Sequence, residues 1–593
     1  MAENEQSWKL ADLFESLEGA DFKKAYEEVV GRAKEFNEKY SGKIAEIADD
    51  PAKIGECLRE YEEVVSGQQR LYSFPALMFA ANTRDKDAQK WQSLVTEKTS
   101  AASNYLIFLD LEIQKLPADK LKSLMKTDEL APYYHYFEKL LERKPHTLSE
   151  EVEKVLNETS VTGRSAFIQL RSLHIGSRDF EPVTTPEGET VDTEAELSNL
   201  LFHHDPDTRL AGYRSVRKVY EDNNLLYGYI LQKIAQDHKM DAARRGHSST
   251  LTKQLMGDEV PQEVYRTVID VTREGFDLFQ DYYAFKADRL GMEKVRICDI
   301  YAPPEKLEIK KSYDQGLEII YEAMSQVDDE YLEIVQNFVD GEYIDSAIRK
   351  GKRGGAFCWG IWDFHPYVLL SYTGEPSSLF TLAHELGHGI HGILGNREQR
   401  LLGASPPMVL AEVASTFNEL LLLDHLLETE KNEKLKRHLL TRQIEDSLNL
   451  LFRQTTISRL EERIHEKAAT GTFDHEWVNE EWLELYRTLG GDSVEILPEH
   501  QFDWARIGHI FFKPFYCYNY CLSYMVSLAC YLKYREEGRA FVPKFKKLLS
   551  LAGSRKPAEA LSVVGVDPAD PEIMTGAVDY SRELLRKLKA LEG

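Results

Sequence analysis

The chain has 593 residues, 42% of them hydrophobic and 29% charged, which is typical of a soluble globular protein. This length exceeds a single compact core, so about two to four domains are expected. The 73 Lys and Arg residues against 99 Asp and Glu residues give a formal charge of −26. Such a surface repels nucleic acid and anionic membranes, so we exclude both as partners.

The N-terminal sequence MAENEQSWKLADLF has neither the basic nor the apolar stretch of a secretory signal. No apolar run reaches the roughly 18 residues that a membrane-spanning helix needs. The six cysteines are sparse and mostly isolated, so no disulfide framework is expected. These observations predict a cytoplasmic protein.

The first half of the chain is predicted to be helical, because apolar residues recur at three- and four-residue spacing, as in Glu56–Ser66 and Ala88–Lys115. The segment Arg178–Val191, RDFEPVTTPEGETV, interrupts this pattern and predicts a loop or small hairpin. We place a domain boundary there. An N-terminal helical domain is expected over residues 1–190, and a second domain over residues 191–593.

The segment Lys352–Tyr372, KRGGAFCWGIWDFHPYVLLSY, is rich in glycines, aromatics and β-branched residues. It predicts two short strands, Ala356–Trp359 and Tyr367–Tyr372. Helix is expected from Ser377 onwards, interrupted only by loops. The predicted fold class is therefore mainly α, with one small sheet near the helix that begins at Ser377.

That helix carries the strongest motif of the chain, TLAHELGHGIHGILG at residues 381–395. His384 and His388 are four residues apart, so their imidazoles share one helix face and can converge on one ion. Glu385 adjoins the first histidine and can reach a water molecule at the metal. This is the H-E-x-x-H pattern of zinc peptidases, and it predicts one Zn²⁺ per chain.

A catalytic zinc needs a third protein ligand and an open fourth position. The metzincin pattern fails, because His391 and Leu394 occupy the positions that would need glycine and histidine. His391 lies about 10 Å along the helix from His384, too far to share the ion, and we interpret it as a wall residue.

Glu412 is the better candidate for the third ligand, because it opens the helical run AEVASTFNELLLL after Pro406 and Pro407. Glu419 follows seven residues later on the same face. It is an alternative ligand, a carboxylate that orients a ligating histidine, or part of a solvated helix face. The zinc site is thus predicted within residues 381–420. With zinc activating a water molecule, Glu385 is predicted to take its proton.

A second polar cluster is predicted within residues 500–525, in the run RIGHIFFKPFYCYNYCLSY. His509, Tyr516 and Tyr520 are candidate donors to the oxyanion of a tetrahedral intermediate. Tyr516 and Tyr520 share a face if helix begins directly after Pro514, and Tyr518 then points about 160° away from Tyr520. An aromatic stripe is often core, but four phenols and an imidazole are costly to bury without partners.

Three further patterns have simpler structural interpretations. Asp205-Pro206, next to two histidines, predicts a helix start with aspartate as the cap. Cys517 and Cys521 are expected to be buried packing thiols. The segment Lys352–Gly355 resembles a phosphate-binding loop but lacks the Walker spacing. It predicts a turn before a strand that pairs with substrate.

These motifs together resemble the oligoendopeptidase F branch of the thimet oligopeptidase family of zinc metallopeptidases. The matching stretches lie mainly between Lys352 and Tyr520 and are KRGGAF, PYVLLSY, TLAHELGHGIH, EVASTFNELLL and HIFFKPFYCYNY. Weaker similarity, in WKLADLF near Trp8 and HHDPDTRLAGYR near Asp205, extends the resemblance over most of the chain.

The resemblance implies a multi-helix ellipsoid with a deep substrate channel, one zinc ion, and hydrolysis of internal bonds in short oligopeptides. It implies His384, His388 and Glu412 as ligands and Glu385 as the base. It also implies substrate contacts from the His509–Tyr520 stretch. Residues 191–593 would then form the catalytic domain. The resemblance leaves the oligomeric state open.

The sequence is also compatible with two other functions. A metallocarboxypeptidase or peptidyl-dipeptidase would need a cation for the substrate carboxylate, and Arg353 and Arg506 are candidates. A non-catalytic helical peptide-binding protein would not need Glu385, and the presence of this residue argues against that function.

Overall fold

The computed structural model describes residues 7–303 and 309–592. The chain forms two compact units, each built from separate stretches of sequence. The first unit comprises Met1–Pro145, Ile309–Lys431 and Val526–Asp567. The second comprises His146–Glu308, Asn432–Met525 and Pro568–Gly593. The domain division predicted at residue 190 stays a prediction.

The fold is mainly helical, as predicted. The helices up to residue 290 are α1 (Ala20–Tyr40), α2 (Ile44–Ile47), α3 (Pro51–Ala81), α4 (Lys86–Asn104), α5 (Phe108–Lys115), α6 (Ala118–Leu124), α7 (Tyr134–Arg143), α8 (Glu150–Thr162), α9 (Arg164–Gly176), α10 (Glu194–Asn199), α11 (Pro206–Asp222), α12 (Asn224–Arg244), α13 (Thr250–Asp258), α14 (Gln262–Glu274) and α15 (Phe276–Leu290).

The remaining helices are α16 (Tyr313–Met324), α17 (Asp329–Asp340), α18 (Pro376–Glu398), α19 (Leu401–Ala404), α20 (Met408–Ala411), α21 (Val413–Thr429), α22 (Glu433–Leu448), α23 (Gln454–Thr470), α24 (His475–Gly490), α25 (His509–Phe512), α26 (Tyr518–Glu537), α27 (Val542–Leu551), α28 (Pro557–Ser562) and α29 (Pro571–Ala590). A π-helical turn, Asn449–Arg453, joins α22 to α23, and a 3₁₀ segment, Pro498–Arg506, precedes α25.

Three small sheets accompany the helices in the described residues. The strands are β1 (Val183–Thr184), β2 (Thr190–Val191), β3 (Val295–Arg296), β4 (Ile344–Asp345), β5 (Phe357–Trp359), β6 (Tyr367–Leu369) and β7 (Val494–Glu495). β1 and β2 form the hairpin that was one of two alternatives predicted for residues 178–191. β3 pairs in parallel with β7, a contact that the sequence did not predict.

The sheet predicted near the H-E-x-x-H helix is present in the first unit, with the order β4-β6-β5. The two predicted strands are β5 and β6, and both are shorter than predicted. β5 pairs antiparallel with β6, and β4 adds a parallel partner. The ammonium of Lys352 lies 2.6 Å from the buried carboxylate of Asp345. It is therefore engaged within the protein, which agrees with the prediction that this segment is not a phosphate-binding loop.

The helix start predicted at Asp205 is confirmed. α11 begins at Pro206, and the Asp205 carboxylate accepts a hydrogen bond from the Thr208 amide at 2.8 Å. Cys517 and Cys521 are free and fully buried, as expected for packing thiols. None of the helices in the described part of the chain is long and apolar enough to cross a membrane.

Candidate active site

α18 places His384, Glu385 and His388 in the first unit. Its first turn carries Pro376, a residue that suits this position because its missing amide would have no helical partner there. The imidazoles of His384 and His388 lie one turn apart with ring centroids separated by 4.8 Å. Their Nε2 atoms are 3.2 Å apart, so both nitrogens point at the same small volume.

Glu412 completes this group from the junction between α20 and α21. Its Oε2 atom lies 3.3 Å from Nε2 of His384 and 3.4 Å from Nε2 of His388. The Ser415 hydroxyl donates to the same oxygen at 2.8 Å, which fixes the carboxylate rotamer. The three side chains are only partly buried, so the group is accessible.

Gly387, inside the motif, sets the close approach of the two helices. A β-carbon at this position would lie 2.5 Å from the carbonyl oxygen of Ala414 and 2.5 Å from the α-carbon of Ser415. Any larger residue would therefore push α21 away from α18 and carry Glu412 with it. Asn418 locks the same contact, because its amide donates to the carbonyl of Ala383 at 3.0 Å.

The geometry of these three residues fits zinc. Bonds of about 2.0–2.1 Å in a tetrahedral site place ligand atoms about 3.3 Å apart. The three observed separations of 3.2, 3.3 and 3.4 Å match that spacing. Two imidazoles and one carboxylate with an open fourth position form a ligand set that is typical of catalytic zinc.

Glu419 lies behind His384. Its Oε1 atom is 2.6 Å from Nδ1 of His384, so the carboxylate can accept the Nδ1 proton, and the Nε2 lone pair would then be available to a metal ion. His388 is oriented by a hydrogen bond with the backbone of Ala411. Glu419 therefore occupies the orienting position, and Glu412 occupies the position next to both Nε2 atoms.

Glu385 is 6% exposed and lies beside the same group. Burial raises the pKa of its carboxyl to about 7, while the neighbouring His384 opposes this shift. The backbone of Cys358, in β5, also interacts with the carboxyl. The small sheet thus forms one wall of the site, and Glu385 has the basicity that general-base catalysis near neutral pH requires.

A cavity of about 480 Å³ opens at His384 and His388 within the first unit. Glu385, both histidines of the motif and His391 line it together with residues of β5 and α19. His391 is 4% exposed, and burial lowers the pKa of its imidazole to about 4. His391 is a wall residue, as predicted. None of the described residues lining the cavity is Lys or Arg.

The second predicted cluster lies in the second unit, and we call His509, Tyr516 and Tyr520 the aromatic cluster. The rings of His509 and Tyr516 stack with centroids 5.3 Å apart and an interplanar angle of 7°. The Tyr520 hydroxyl lies 3.3 Å from Nε2 of His509. All three side chains are half-buried. Burial and the nearby charge of Arg453 lower the pKa of His509, which keeps its imidazole neutral near pH 7.

The local structure differs from the helix considered for this segment. α26 begins at Tyr518 rather than directly after Pro514, because Phe515 has a left-handed backbone with φ of 55°. Tyr516 therefore precedes the helix, yet its ring still contacts Tyr520 edge-to-face at 5.2 Å. Tyr518 is fully buried, and its hydroxyl donates to Asp258 at 3.0 Å.

Arg353 and Arg506 occupy different environments. Arg506 is paired with Asp503 and Glu194, each at 3.2 Å. Arg353 is exposed, and its guanidinium lies 5.6 Å from the centre of the Phe357 ring. Ser415 and Asn418 were not predicted as site residues, although both are polar and lie within the EVASTFNE run; both are fully buried.

An H-E-x-x-H helix, a nearby glutamate and a largely helical fold define a metallopeptidase. The model of peptidase family M3 matches residues 200–579, and the oligopeptidase F model matches residues 112–180. The chain belongs to peptidase family M3 and is a metallo-oligopeptidase.

Curated relatives match over nearly the whole chain. Oligopeptidase PepF of Bacillus subtilis (strain 168) is 27% identical over 596 residues, covering 99% of this chain and 88% of the relative. An oligoendopeptidase F homolog of Borreliella burgdorferi is 27% identical, covering 98% of each chain.

Solved structures share the fold. Oligoendopeptidase F from Enterococcus faecium superposes with a TM-score of 0.72 at 23% identity, covering 96% of this chain and 98% of the other. A crystal structure from Chlamydophila abortus gives a TM-score of 0.88 at 24% identity, covering 98% of each chain.

Proposed function

We propose that the chain is a zinc-dependent endopeptidase that hydrolyses internal bonds of short oligopeptides. The observation that carries this proposal is the equilateral arrangement of three ligand atoms from His384, His388 and Glu412, with Glu385 beside it in the same cavity. Family membership supports peptidase activity, and the donor set supports zinc.

The chain's own residues account for the proton transfers. Bound zinc would supply Lewis acidity that polarises the scissile carbonyl and brings the pKa of water towards 7. Glu385 accepts a proton from the attacking water and delivers it to the nitrogen of the leaving amine. Glu419 holds the proton on Nδ1 of His384, so the opposite nitrogen keeps its lone pair.

The aromatic cluster is proposed to contact the substrate. A neutral His509 and the hydroxyls of Tyr516 and Tyr520 can donate hydrogen bonds to the oxyanion of the tetrahedral intermediate. The partial exposure of Tyr516 and Tyr520 supports this role, because the residues directly before and after each of them are buried. Tyr520 is the first choice as the donor, since its hydroxyl already lies next to the imidazole.

The cavity lining favours internal cleavage over carboxypeptidase or peptidyl-dipeptidase activity. A terminal carboxylate needs a cation, and no Lys or Arg is among the described residues that line the cavity. Arg506 is already held in two ion pairs. A non-catalytic peptide-binding role is disfavoured, because a buried carboxyl such as Glu385 is costly to retain without a function.

The proposed substrates are extended oligopeptides of about a dozen residues rather than folded proteins, as the resemblance implies; the oligopeptidase names of the curated relatives support this proposal. Nucleic acid and membranes are not proposed partners, given the charge of −26. The six free cysteines support a reducing compartment such as the cytoplasm.

The test is product mapping by mass spectrometry on a mixed peptide pool. The pool is offered in two forms, with free and with amidated C-termini, and each is digested with and without a chelator. We expect internal cuts that amidation leaves unchanged, loss of all cuts with chelator, and recovery with Zn²⁺. Cleavage that stops on amidation would indicate an exopeptidase, and full activity in metal-free protein would refute the proposal.

A further inference from the structure

Glu461, in α23 of the second unit, is a buried acid that the proposed mechanism does not use. It is 1% exposed. Its Oε1 atom accepts a hydrogen bond from the Phe515 amide at 2.7 Å, and its Oε2 atom has no hydrogen-bond partner among the described residues. Burying a carboxyl that has only one hydrogen-bond partner costs free energy, so its presence needs a structural or functional explanation.

Its hydrogen-bond partner is the one residue of the segment with an unusual backbone. Phe515 has φ of 55°, a conformation that is unfavourable for a bulky aromatic residue, and it is 1% exposed. Its ring is fixed by His465 and Tyr265, with centroids 5.0 and 6.5 Å away. Glu461 therefore provides the hydrogen-bond acceptor for a buried amide at the strained position.

The turn at Phe515 sets the geometry of the aromatic cluster. The chain leaves α25, which begins at His509, reverses at Pro514–Phe515 and enters α26 at Tyr518. This reversal brings Tyr516 back onto the imidazole of His509, with the rings 5.3 Å apart and nearly parallel. Without the left-handed residue, the chain would not return along this path.

Asp258, the last residue of α13, holds the same segment from a second side. Its Oδ2 atom accepts hydrogen bonds from the Tyr518 hydroxyl and the Asn519 amide, both at 3.0 Å. The Lys513 ammonium lies 3.6 Å from its Oδ1 atom. Residues 513–519 are thus tied to two carboxyl groups, while Tyr516 remains half-buried between the two anchors.

We propose that Glu461 is a positioning residue for the reaction, which holds the Phe515 turn so that His509, Tyr516 and Tyr520 present their donors in a fixed arrangement, with Asp258 as the second anchor. This inference rests on the proposed function, because it presupposes that the aromatic cluster acts on the substrate. Burial raises the pKa of Glu461 to about 8, so the group is largely a neutral acid at pH 7 and acts through its acceptor oxygen rather than its charge.

The matched variants are Glu461→Gln and Glu461→Leu. Glutamine keeps a carbonyl acceptor for the Phe515 amide, so kcat should stay near the wild-type value. Leucine has a similar volume but no acceptor, so kcat should fall by about 10–100-fold, the cost of misplacing a reacting group by up to 1 Å. Zinc content should be unchanged in both. Equal kcat in the leucine variant and wild type would overturn the inference.

A double-mutant cycle with Tyr520→Phe separates positioning from general loss of structure. If Glu461 acts through the cluster, Glu461→Leu should have little further effect on kcat once the Tyr520 hydroxyl is gone. Independent, multiplying effects would overturn the positioning role. If Tyr520→Phe, Tyr516→Phe and His509→Ala all leave kcat unchanged, the proposed function of the cluster fails first, and the inference fails with it.

Hydrogen exchange in the wild-type protein provides a test that needs no variant. Pro514 has no amide, so a peptide that covers residues 513–516 isolates the Phe515 amide with few neighbours. We expect this amide to exchange as slowly as those of the buried helices, because Glu461 holds it inside the unit. Fast exchange would contradict the anchor even if the leucine variant failed to fold.

Discussion

The metal-ligand group and the aromatic cluster are built in opposite ways. His384 and His388 lie on one regular helix, and Glu412 lies in the turn directly before α21, so their spacing follows from helical periodicity and one close helix contact at Gly387. The aromatic cluster depends on a break in regular structure, a left-handed Phe515 between a short helix and a long one. Two carboxyl groups from distant parts of the sequence fix that break.

This difference indicates how each region should respond to substitution. A site on packed helices is rigid by default, so it is lost mainly when a ligand or the helix contact is removed. A site on a turn is rigid only while its anchors remain, so distant buried groups should affect it.

The largest effect is expected at Glu385. Glu385→Gln removes the base but no ligand, so kcat should fall by about 10²–10⁴-fold with zinc retained. Glu412→Gln should instead lose zinc, and activity should follow metal content. The measurements are kcat and metal analysis on the same preparations. Zinc loss in Glu385→Gln would place this residue among the ligands.

Within the aromatic cluster, Tyr520→Phe removes only a hydroxyl. Loss of one oxyanion donor should lower kcat by about 10²–10³-fold with KM nearly unchanged. Tyr518→Phe is the comparison variant, because its buried hydroxyl is no candidate donor and is only one of the contacts between Asp258 and this segment. It should lose less activity than Tyr520→Phe. The same kcat in both variants and wild type would show that the Tyr520 hydroxyl is structural and leave His509 and Tyr516 as the candidate donors.

Glu419→Gln tests the residue behind the ligands. Loss of the carboxylate that orients His384 should weaken zinc binding by about 10–100-fold without abolishing it. Glu428→Gln, an exposed position on the same helix, should have no effect. Zinc titration against a competing chelator provides the measurement. If Glu419→Gln lost the metal and Glu412→Gln kept it, the assignment of the third ligand would be wrong.

The helix contact is tested by a pair of glycine substitutions. Gly387→Ala should destabilise the first unit by about 1–3 kcal/mol, because its β-carbon meets backbone of α21. It should also weaken zinc binding. Gly67→Ala, in α3 with open space around it, should stabilise the protein by about 0.5–1 kcal/mol. Thermal unfolding in chelator measures both, and equal shifts would argue against the close contact.

The smallest expected effect is a pH dependence of stability from Glu461. Burial raises the pKa of this carboxyl from 4.5 to about 8. The folded state therefore binds this proton more tightly than the unfolded state does. The resulting stabilisation is complete below about pH 4.5 and is lost as the pH rises through 8. Tyr265 and Cys517, which face Glu461, have raised pKa values and stay neutral over this range.

Glu461→Gln removes this titration. The Tm of Glu461→Gln relative to wild type should rise between pH 5 and pH 8. The rise should be about 2–4 °C for each kcal/mol of stability that wild type loses over this range. Glu466→Gln, exposed on the same helix, should follow wild type at every pH. A constant difference in Tm between Glu461→Gln and wild type would mean that Glu461 keeps an ordinary pKa.

The helical fold and the metal-ligand group could be predicted because both follow from local periodicity. His384 and His388 converge because residues four apart share one helix face, and Glu412 lies at the start of the predicted helical run. The strands β5 and β6 were also predicted from their composition, although the partner strand β4 was not. The pairing of β3 with β7 joins residues almost 200 positions apart, and no local pattern encodes it.

The aromatic segment shows where such prediction stops. The run FYCYNY suits a helix, and nothing local indicates that a phenylalanine adopts positive φ. That conformation is imposed by tertiary partners, Glu461 and the rings around Phe515, which lie far away in sequence. Tyr516 and Tyr520 nevertheless contact each other as predicted, through the turn rather than along one helix face.

If zinc binds as proposed, its ligands come from α18 and from the turn that begins α21, and this has a consequence for the lifetime of the protein. An ion held by α18 and α21 binds only when both helices are packed, so its binding energy adds to the folding free energy of the first unit. At a free zinc concentration 100-fold above Kd, this linkage would raise the free energy of unfolding by about 2.7 kcal/mol. The second unit contributes no ligand to the group and gains nothing directly. Zinc depletion would therefore leave a molecule that is inactive and also more readily degraded, with unfolding starting in the first unit.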